Sequence, residues 1–346
     1  MSSVETILAL DALQVEIPTR DGVVRPVRGV SLQLAAGQTL ALVGESGCGK
    51  SMTALAAMGL LPKGARISGG EIRLRERRLN DLNEAAWNRL RGSRIGMVFQ
   101  NPMSSFNPTM RVGAQIAESL VTHRALSWRE AELRAVALLD RMQIPSAAQR
   151  ARQFPFEFSG GMLQRAMIAM AVACEPTLLI ADEPTTALDV TVQVEVLALL
   201  RDLQRERGMA LLLITHDLGV VAQVADQVAV MYAGQVVEQG PVDAIFHATA
   251  HPYTLGLKRS LPSQHVASRG ANADAPLAVI RGTPPDLIAP PPGCGFYARC
   301  ERAMKICADG AVPMFAIGSA GVADHCARCW LHHPQAPVSR AGESST

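Results

Sequence analysis

Long apolar runs, aromatic residues and a net charge of either sign are all scarce in this sequence. The longest apolar run, from Ala166 to Cys174, covers about nine residues, whereas a membrane-spanning helix needs roughly 18. The N-terminus has no basic segment ahead of its apolar residues, so no secretory signal is predicted. Lys and Arg number 33 against 31 Asp and Glu, a balance that argues against nucleic acid as a partner. Because 48% of the 346 residues are hydrophobic, disorder throughout is excluded, and we expect one large globular domain or two ordinary ones.

Residues 4–245 alternate short apolar runs with segments that suit helices. The apolar runs have the length of buried strands and are bounded by Gly, Pro or Asp: Thr39–Val43, Ile95–Phe99, Leu178–Ala181 and Ala210–Thr215. Ser127 and Glu130 have capping-box spacing at the start of a segment that closes before Pro145. A second helix is predicted from Val190 to Arg207, with Gly208 as its C-cap. The alternation predicts an α/β fold.

The segment from Gly44 to Ser51 matches the P-loop pattern G-x-x-x-x-G-K-[ST], between a predicted strand and a predicted helix. Its glycines let main-chain N–H groups close around phosphate oxygens, and the N-terminus of a helix favours negative charge. Lys50 would neutralise the β- and γ-phosphates, and Ser51 would ligate Mg²⁺. The predicted nucleotide-binding residues are Gly44, Glu45, Ser46, Gly47, Cys48, Gly49, Lys50 and Ser51.

Two adjacent acids follow another apolar strand. Leu178–Ala181 leads directly into Asp182 and Glu183, and α/β sheets place ligands at the carboxyl ends of their strands. Asp182 would hold the metal, and Glu183 would take a proton from the attacking water. With the P-loop upstream, these acids predict a nucleoside triphosphatase that uses Mg²⁺, a description that suits many such enzymes.

Between the two elements, residues 158–165 read Phe-Ser-Gly-Gly-Met-Leu-Gln-Arg and resemble the signature motif of ATP-binding cassette (ABC) proteins. Other motifs of that family follow in its usual order. Gln100 matches the Q-loop, Asp189 the D-loop and His216 the switch histidine. Met162 stands where glutamine is usual, a form that peptide-transport members of the family commonly carry.

This resemblance implies a P-loop ABC ATPase core with a helical signature subdomain at about 105–175. Such domains dimerise head to tail, and each ATP lies between one P-loop and the other subunit's signature motif. Glu183 would be the general base, Gln100 would contact Mg²⁺ and the attacking water, and His216 would contact the γ-phosphate. Asp189 would couple the two sites. The signature residues implied to bind the partner's nucleotide are Ser159, Gly160 and Gly161.

The C-terminal half resembles one branch of the family more narrowly. His251-Pro252-Tyr253-Thr254 and the cysteine-containing tail resemble oligopeptide and dipeptide importer ATPases, as does the extended Q-loop Gln100-Asn101-Pro102-Met103. The resemblance covers about residues 4–332 and is nearest to the first ATPase of dipeptide systems. It implies peripheral attachment to the cytoplasmic face of the inner membrane. The implied partners are a second ABC ATPase, two membrane permeases and a periplasmic or lipid-anchored solute-binding protein; a nickel or other small-solute importer ATPase is the alternative.

Five of the seven cysteines lie near the C-terminus. In a cytoplasmic chain such a cluster indicates metal more often than disulfides. The spacing C-x₅-C-x₆-C-x₂₁-C predicts a [4Fe–4S] cluster, with zinc, a vacant site or disulfides as alternatives. The predicted ligands are Cys294, Cys300, Cys307 and Cys329, with Cys326 as an alternative fourth ligand.

Changes in composition suggest how the chain is divided. An ABC ATPase domain is expected at 4–261, a linker at 262–280, a cysteine-rich module at 281–332 and a disordered tail at 333–346. Two functions of other classes stay open from the sequence. One is a non-transport ABC ATPase that acts on nucleic acid, and the other is a redox protein centred on the cysteines.

Overall fold

Two β-sheets organise residues 5–186, 188–261, 279–318 and 325–336, the parts of the chain that the computed structural model describes. The strands are β1 (Thr6–Thr19), β2 (Gly22–Ala35), β3 (Thr39–Val43), β4 (Arg66–Leu74), β5 (Arg77–Arg78), β6 (Ile95–Val98), β7 (Leu178–Asp182), β8 (Ala210–Thr215), β9 (Gln227–Tyr232), β10 (Gln235–Pro241), β11 (Phe315–Ala316) and β12 (Cys326–Ala327). The larger sheet has the order β11-β12-β10-β9-β3-β8-β7-β6, and the smaller one has the order β2-β1-β4-β5. Side chains of both sheets meet in one buried cluster.

Helices occupy most connections between the strands. They are α1 (Lys50–Ala57), α2 (Glu84–Leu90), α3 (Pro102–Ser105), α4 (Val112–Arg124), α5 (Trp128–Arg141), α6 (Ala147–Arg150), α7 (Gly160–Val172), α8 (Val190–Arg207), α9 (Leu218–Val224), α10 (Val242–His247) and α11 (Pro252–Arg259). Single 3₁₀ turns occur at Pro155–Glu157, Tyr297–Arg299, Lys305–Ala308 and Trp330–His332. No helix within the described ranges has both the length and the apolar character that a membrane crossing requires.

The four strands predicted from apolar runs are all present, within one residue of the predicted bounds. They are neighbours in the larger sheet, in the order β3, β8, β7 and β6, and they pair in parallel. Every residue of these four strands is buried. Parallel strands that are covered on both faces are apolar along most of their length, and this is why apolar runs in the sequence predicted them. The predicted α/β fold is confirmed.

The two helices predicted from end signals are also present. Ser127 caps α5 and forms a capping box with Glu130, each side chain accepting from the other residue's main-chain N–H. Helix α8 ends at Gly208, which has a left-handed φ of +59°. Helices α3 to α7 follow one another between β6 and β7, and most of them bury side chains in a second core cluster.

The smaller, antiparallel sheet was not predicted from the sequence. β1 pairs with both β2 and β4, and its register shifts at several points, including the segment around Ala12, whose φ is +45°. Such bulges interrupt the two-residue alternation by which a half-buried strand is recognised. The sequence of β1 therefore looks irregular although the strand is 14 residues long.

The C-terminal part of the chain adds to the larger sheet. β12 pairs with β10, where Cys326 lies opposite Gln239, and β11 pairs with β12. Residues 262–278 of the predicted linker and 337–346 of the predicted tail lie outside the described residues. The boundaries proposed for the ATPase domain and the cysteine-rich module stay predictions.

Candidate functional site

The carboxyl ends of four adjacent parallel strands carry the predicted phosphate-binding and catalytic residues. The P-loop follows β3, His216 follows β8, Asp182 ends β7, and Gln100 lies just after β6. Because these strands are adjacent in the same order, residues that are far apart in the sequence meet at one edge of the sheet. This edge is where α/β proteins bind their ligands.

The P-loop backbone requires glycine at defined positions. Gly49 precedes α1 with a left-handed φ of +108°, and a Cβ at this position would lie 2.0 Å from the carbonyl oxygen of Pro26. The buried ammonium group of Lys50 donates to the main-chain oxygens of Gly44 at 2.8 Å and Glu45 at 3.0 Å. The loop thus holds a positive charge at its centre, beside the N-terminus of a helix, as a phosphate site requires.

Ser51 and Asp182 are in direct contact. The Ser51 hydroxyl donates to Asp182 Oδ1 at 3.1 Å. Burial raises the pKa of Asp182 above its usual range, although the hydrogen bond from Ser51 acts in the opposite direction. A hydroxyl and a carboxylate are the hard oxygen ligands that Mg²⁺ prefers, and a cation would offset the cost of a buried negative charge. These two residues therefore fit a magnesium ion.

Glu183 lies at the meeting point of three other side chains. Its Oε2 accepts from Gln100 Nε2 at 2.8 Å and from Thr186 Oγ1 at 2.9 Å, and its Oε1 is 3.2 Å from His216 Nδ1. Burial raises the pKa of Glu183, but the hydrogen bonds with Thr186 and His216 outweigh it, and the pKa lies below its usual range. Its φ of +47° is unusual for a residue other than glycine. The carboxylate is thus ionised and held in a defined orientation.

The signature motif starts a helix, as the resemblance implies. Ser159 caps α7, its Oγ accepting from the main-chain N–H of Met162 at 3.3 Å. Asp189 similarly caps α8 by accepting from the N–H of Val192 at 3.0 Å. These two helix starts are adjacent, since a Cβ on Gly161 would lie 2.9 Å from Val192 Cγ1. Within the described residues no hydrogen bond joins them to the P-loop, so the structure brings the signature motif near Asp189 but not to the chain's own phosphate site.

Sequence reasoning missed three residues that contact the site. Thr186 donates to Glu183. Tyr253 Oη accepts from the main-chain N–H of Glu45 at 2.8 Å, and Arg299 forms an ion pair with the Glu45 carboxylate at 2.7 Å. Tyr253 belongs to a segment that was noted only for its resemblance, and Arg299 is 254 residues from Glu45. A contact over that separation leaves no local pattern in the sequence.

The structure contradicts the prediction of a [4Fe–4S] cluster. Nowhere in the described ranges do three or more His, Cys, Asp or Glu side chains form a group that could hold a metal ion. The cavity between the predicted ligands measures about 10 Å³, which is about the room needed by one water molecule. Burial raises the pKa of Cys294 to about 11 and that of Cys329 to about 12, so without a metal both thiols stay protonated at neutral pH. The predicted cluster ligands Cys294, Cys300, Cys307 and Cys329, and Cys326 as the alternative ligand, therefore do not form a metal site.

Two family models match this chain. The model described as ABC transporter matches residues 27–186, which include the P-loop, the signature motif and the acidic strand end. The model described as oligopeptide/dipeptide transporter, C-terminal region, matches residues 237–307. The second match covers the segment that contains Tyr253 and Arg299.

Similar proteins agree with both matches. The chain is 48% identical to the oligopeptide transport ATP-binding protein OppD of Bacillus subtilis, over 97% of this chain and 92% of that protein. It is 46% identical to the dipeptide transport ATP-binding protein DppD of the same organism, over 96% of each. Among solved structures, a dimeric ATP-binding cassette in a post-hydrolysis state with ADP and Pi is 26% identical, with a TM-score of 0.62 over 68% of this chain and 98% of that chain. The chain therefore belongs to the ABC transporter ATPase family, in the group of oligopeptide and dipeptide transport ATP-binding proteins.

Proposed function

We propose that this protein hydrolyses ATP and that hydrolysis powers the import of oligopeptides or dipeptides through a membrane transporter. The observation that carries the proposal is the meeting of the P-loop after β3 with the acids at the end of β7, where Ser51, the neighbour of Lys50, donates to Asp182 at 3.1 Å and Glu183 follows directly. A phosphate-binding lysine, a metal-binding acid and a base are the parts that transfer of a phosphoryl group to water requires. The names of the relatives, which are peptide transport ATP-binding proteins, support the choice of substrate.

The P-loop binds the phosphates of ATP. Main-chain N–H groups of the loop and the N-terminus of α1 surround the phosphate oxygens. When ATP binds, the Lys50 ammonium group gives up its hydrogen bonds to the carbonyl oxygens of Gly44 and Glu45 and donates to the β- and γ-phosphates instead. Ser51 and Asp182, with Gln100 from the adjacent strand end, would hold Mg²⁺, which would supply positive charge to the phosphate oxygens.

Glu183 is the general base. Its carboxylate, ionised at neutral pH, accepts a proton from the water that attacks the γ-phosphate. Gln100 and Thr186 orient the carboxylate from one side, and His216 does so from the other. His216 is half exposed, and this leaves its ring able to contact the γ-phosphate as well.

The signature motif serves the nucleotide of a second ATPase subunit. The start of α7, at Ser159, Gly160 and Gly161, offers main-chain N–H groups to an anion, and nothing lies within 4 Å of a Cβ built on Gly160. Asp189, which caps the adjacent helix, couples the two sites. We expect a heterodimer with a related ATPase, bound at the cytoplasmic face of the membrane to two permeases that receive solute from a binding protein.

Reconstitution with the permeases and the binding protein tests the proposal. We expect ATP hydrolysis that rises when a peptide is added and that is lost in Lys50→Ala. Lys63→Ala is the matched control, because Lys63 is exposed and lies outside the P-loop. Hydrolysis that responds to Ni²⁺ but to no peptide would replace the proposed substrate by the metal. A complete complex in which wild-type protein does not hydrolyse ATP would overturn the proposal as a whole.

A further inference from the structure

The second residue of the P-loop, Glu45, is held by the part of the chain that follows residue 278, called the C-terminal segment below. Arg299 Nη1 donates to Glu45 Oε2 at 2.7 Å, and Arg299 Nη2 donates to Glu45 Oε1 at 3.1 Å. The Arg299 side chain is only 6% exposed. A bidentate guanidinium–carboxylate pair that is largely shielded from water fixes orientation as well as charge. Arg299 therefore determines how Glu45 is turned.

Arg299 is itself fixed by further acceptors. Its Nε donates to the main-chain oxygen of Arg281 at 2.9 Å and its Nη2 to that of Ile280 at 3.1 Å. Its Nη1 also donates to Tyr232 Oη at 3.1 Å. Together with the two bonds to Glu45, these contacts supply an acceptor for each of the five N–H donors of a guanidinium group. The group is thus pre-organised to receive the Glu45 carboxylate.

The main chain of Glu45 is held at both of its polar groups. Its N–H donates to Tyr253 Oη at 2.8 Å, and its carbonyl oxygen accepts from Lys50 Nζ at 3.0 Å. Tyr253 is fully buried, and its ring packs against those of Tyr232 and Phe296. One residue therefore connects the C-terminal part of the chain to the lysine that binds phosphate.

Anchoring of the C-terminal segment does not by itself explain this pair. The segment is also attached by the Arg25 N–H, which donates to Leu287 O at 2.9 Å, and by Arg28 Nη2, which donates to Pro291 O at 3.1 Å. Burying an ion pair desolvates two charged groups, whereas the Arg25 contact involves no charged group and the Arg28 contact involves one. The placement of the ion pair on a P-loop residue thus points to an effect on the loop.

We propose that Arg299 is a positioning residue of the nucleotide site. By holding Glu45, it keeps the P-loop in the conformation that receives phosphate, and the C-terminal segment thereby sets the affinity for ATP. This inference rests on the proposed function and adds to that site a residue from outside the ABC motifs. Because linkage is reciprocal, ATP binding in turn favours the docked position of the segment.

Equilibrium binding of Mg·ATP to the full-length chain tests the proposal. We expect Arg299→Gln to raise the Kd about tenfold or more, since a charge-assisted bidentate contact is lost. Arg299→Lys keeps the positive charge but cannot donate to both carboxylate oxygens in the bidentate arrangement, and we expect it to restore only part of the affinity. Arg302→Gln is the matched control, because Arg302 is exposed in the same segment, and its Kd should equal that of the wild type. An unchanged Kd in Arg299→Gln would overturn the proposal.

A second variant separates positioning from folding of the segment. Glu45→Gln leaves the C-terminal segment intact, and we expect it to weaken ATP binding as much as Arg299→Gln does. The double variant should lose no more than either single variant, since both remove the same contact. Losses that add in full, or normal affinity in Glu45→Gln, would contradict the proposed role.

Kinetics of the assembled transporter give an independent readout. We expect Arg299→Gln to raise the KM for ATP while kcat at saturating ATP stays within about twofold. A lower kcat at an unchanged KM would contradict a positioning role. If the proposed transport function is wrong, wild-type hydrolysis will not respond to peptide. That failure leaves the binding measurements on the full-length chain interpretable, so the two failures are distinguishable.

Discussion

His216 Nδ1 lies 3.2 Å from Glu183 Oε1. Glu183 follows β7 and His216 follows β8, so the contact joins two adjacent strand ends. On the other oxygen, Glu183 accepts from Gln100 and Thr186. Glu183 also has a positive φ, which costs free energy in a residue other than glycine. This backbone strain accompanies the orientation of its carboxylate.

Glu183→Gln should reduce ATP hydrolysis by about 10²–10⁴-fold, the usual effect of removing a general base. The amide keeps the shape of the side chain but cannot accept a proton from water, so ATP should still bind and accumulate unhydrolysed in a closed dimer. Steady-state turnover and nucleotide retention in the reconstituted complex measure both effects. Glu132→Gln, at an exposed position of α5, is the control. Turnover near the wild-type rate would mean that Glu183 is not the base.

Thr186→Val should move the acid limb of the pH–rate profile to higher pH. Burial raises the pKa of Glu183, but Thr186 and His216 lower it by more, and the net pKa lies below the usual 4.5. Removing the Thr186 hydroxyl raises that pKa, so protonation inactivates the variant sooner as pH falls. At neutral pH both proteins have an ionised Glu183. We expect Thr122→Val, on an exposed surface of α4, to leave the profile unchanged; an acid limb at or below that of the wild type in Thr186→Val would contradict this account.

The parts of the fold that were predictable are those whose information is local. β3 and β8 are apolar except for one threonine at an end of each, because both faces are covered, and α5 carries its own start signal at Ser127. The P-loop and the two acids at the end of β7 form motifs of consecutive residues. Their meeting at one edge follows from parallel pairing alone.

The parts that were not predictable depend on long-range contacts. The contact of Arg299 with Glu45 joins residues 254 positions apart, and neither neighbouring sequence specifies the other. The cysteine spacing indicated that side chains would converge, and four cysteines do line one cavity. Spacing carries no information on the size of that cavity, which has room for about one water molecule and not for the predicted cluster.

Asp182→Asn should stabilise the nucleotide-free chain while it abolishes hydrolysis. Burial is the main cause of the raised pKa of Asp182, so ionisation costs more in the folded state than in the unfolded state. That cost is absent at low pH and develops as pH rises above the unfolded value of about 3.8. Thermal unfolding should therefore show a higher Tm for the variant at pH 7 and a shrinking difference as pH falls. Added Mg·ATP should raise the wild-type Tm more than that of the variant, and a variant that is less stable at every pH would refute the argument.

Ser159→Arg should abolish hydrolysis in the assembled transporter without preventing ATP from binding to this chain's own P-loop. The motivation is the position of Ser159 at the start of α7, which has no hydrogen bond to the P-loop within the described part of the chain. A bulky cation there fills the space that the other subunit's nucleotide would occupy. Ser159→Ala controls for the lost helix cap, which costs only about 1 kcal/mol. If Ser159→Arg assembles and hydrolyses normally, the shared site is not formed in this way.

Glu238→Gln should destabilise the chain and loosen its C-terminal segment. The fully buried Glu238 carboxylate accepts from the N–H groups of Ala250 at 2.7 Å and His251 at 2.8 Å, and it lies 2.9 Å from His325 Nε2. An amide replaces one of its oxygens with an NH₂ group that faces a main-chain N–H, and a buried donor left without an acceptor costs about 1–3 kcal/mol. Urea unfolding should show this loss, and hydrogen exchange should become faster in β12, which pairs with the strand that carries Glu238.

Glu118→Gln is the control, because Glu118 is exposed on α4, and its free energy of unfolding should stay within about 0.5 kcal/mol of the wild-type value. If Glu238→Gln does the same, the contacts of Ala250 and His251 do not depend on both oxygens of the Glu238 side chain.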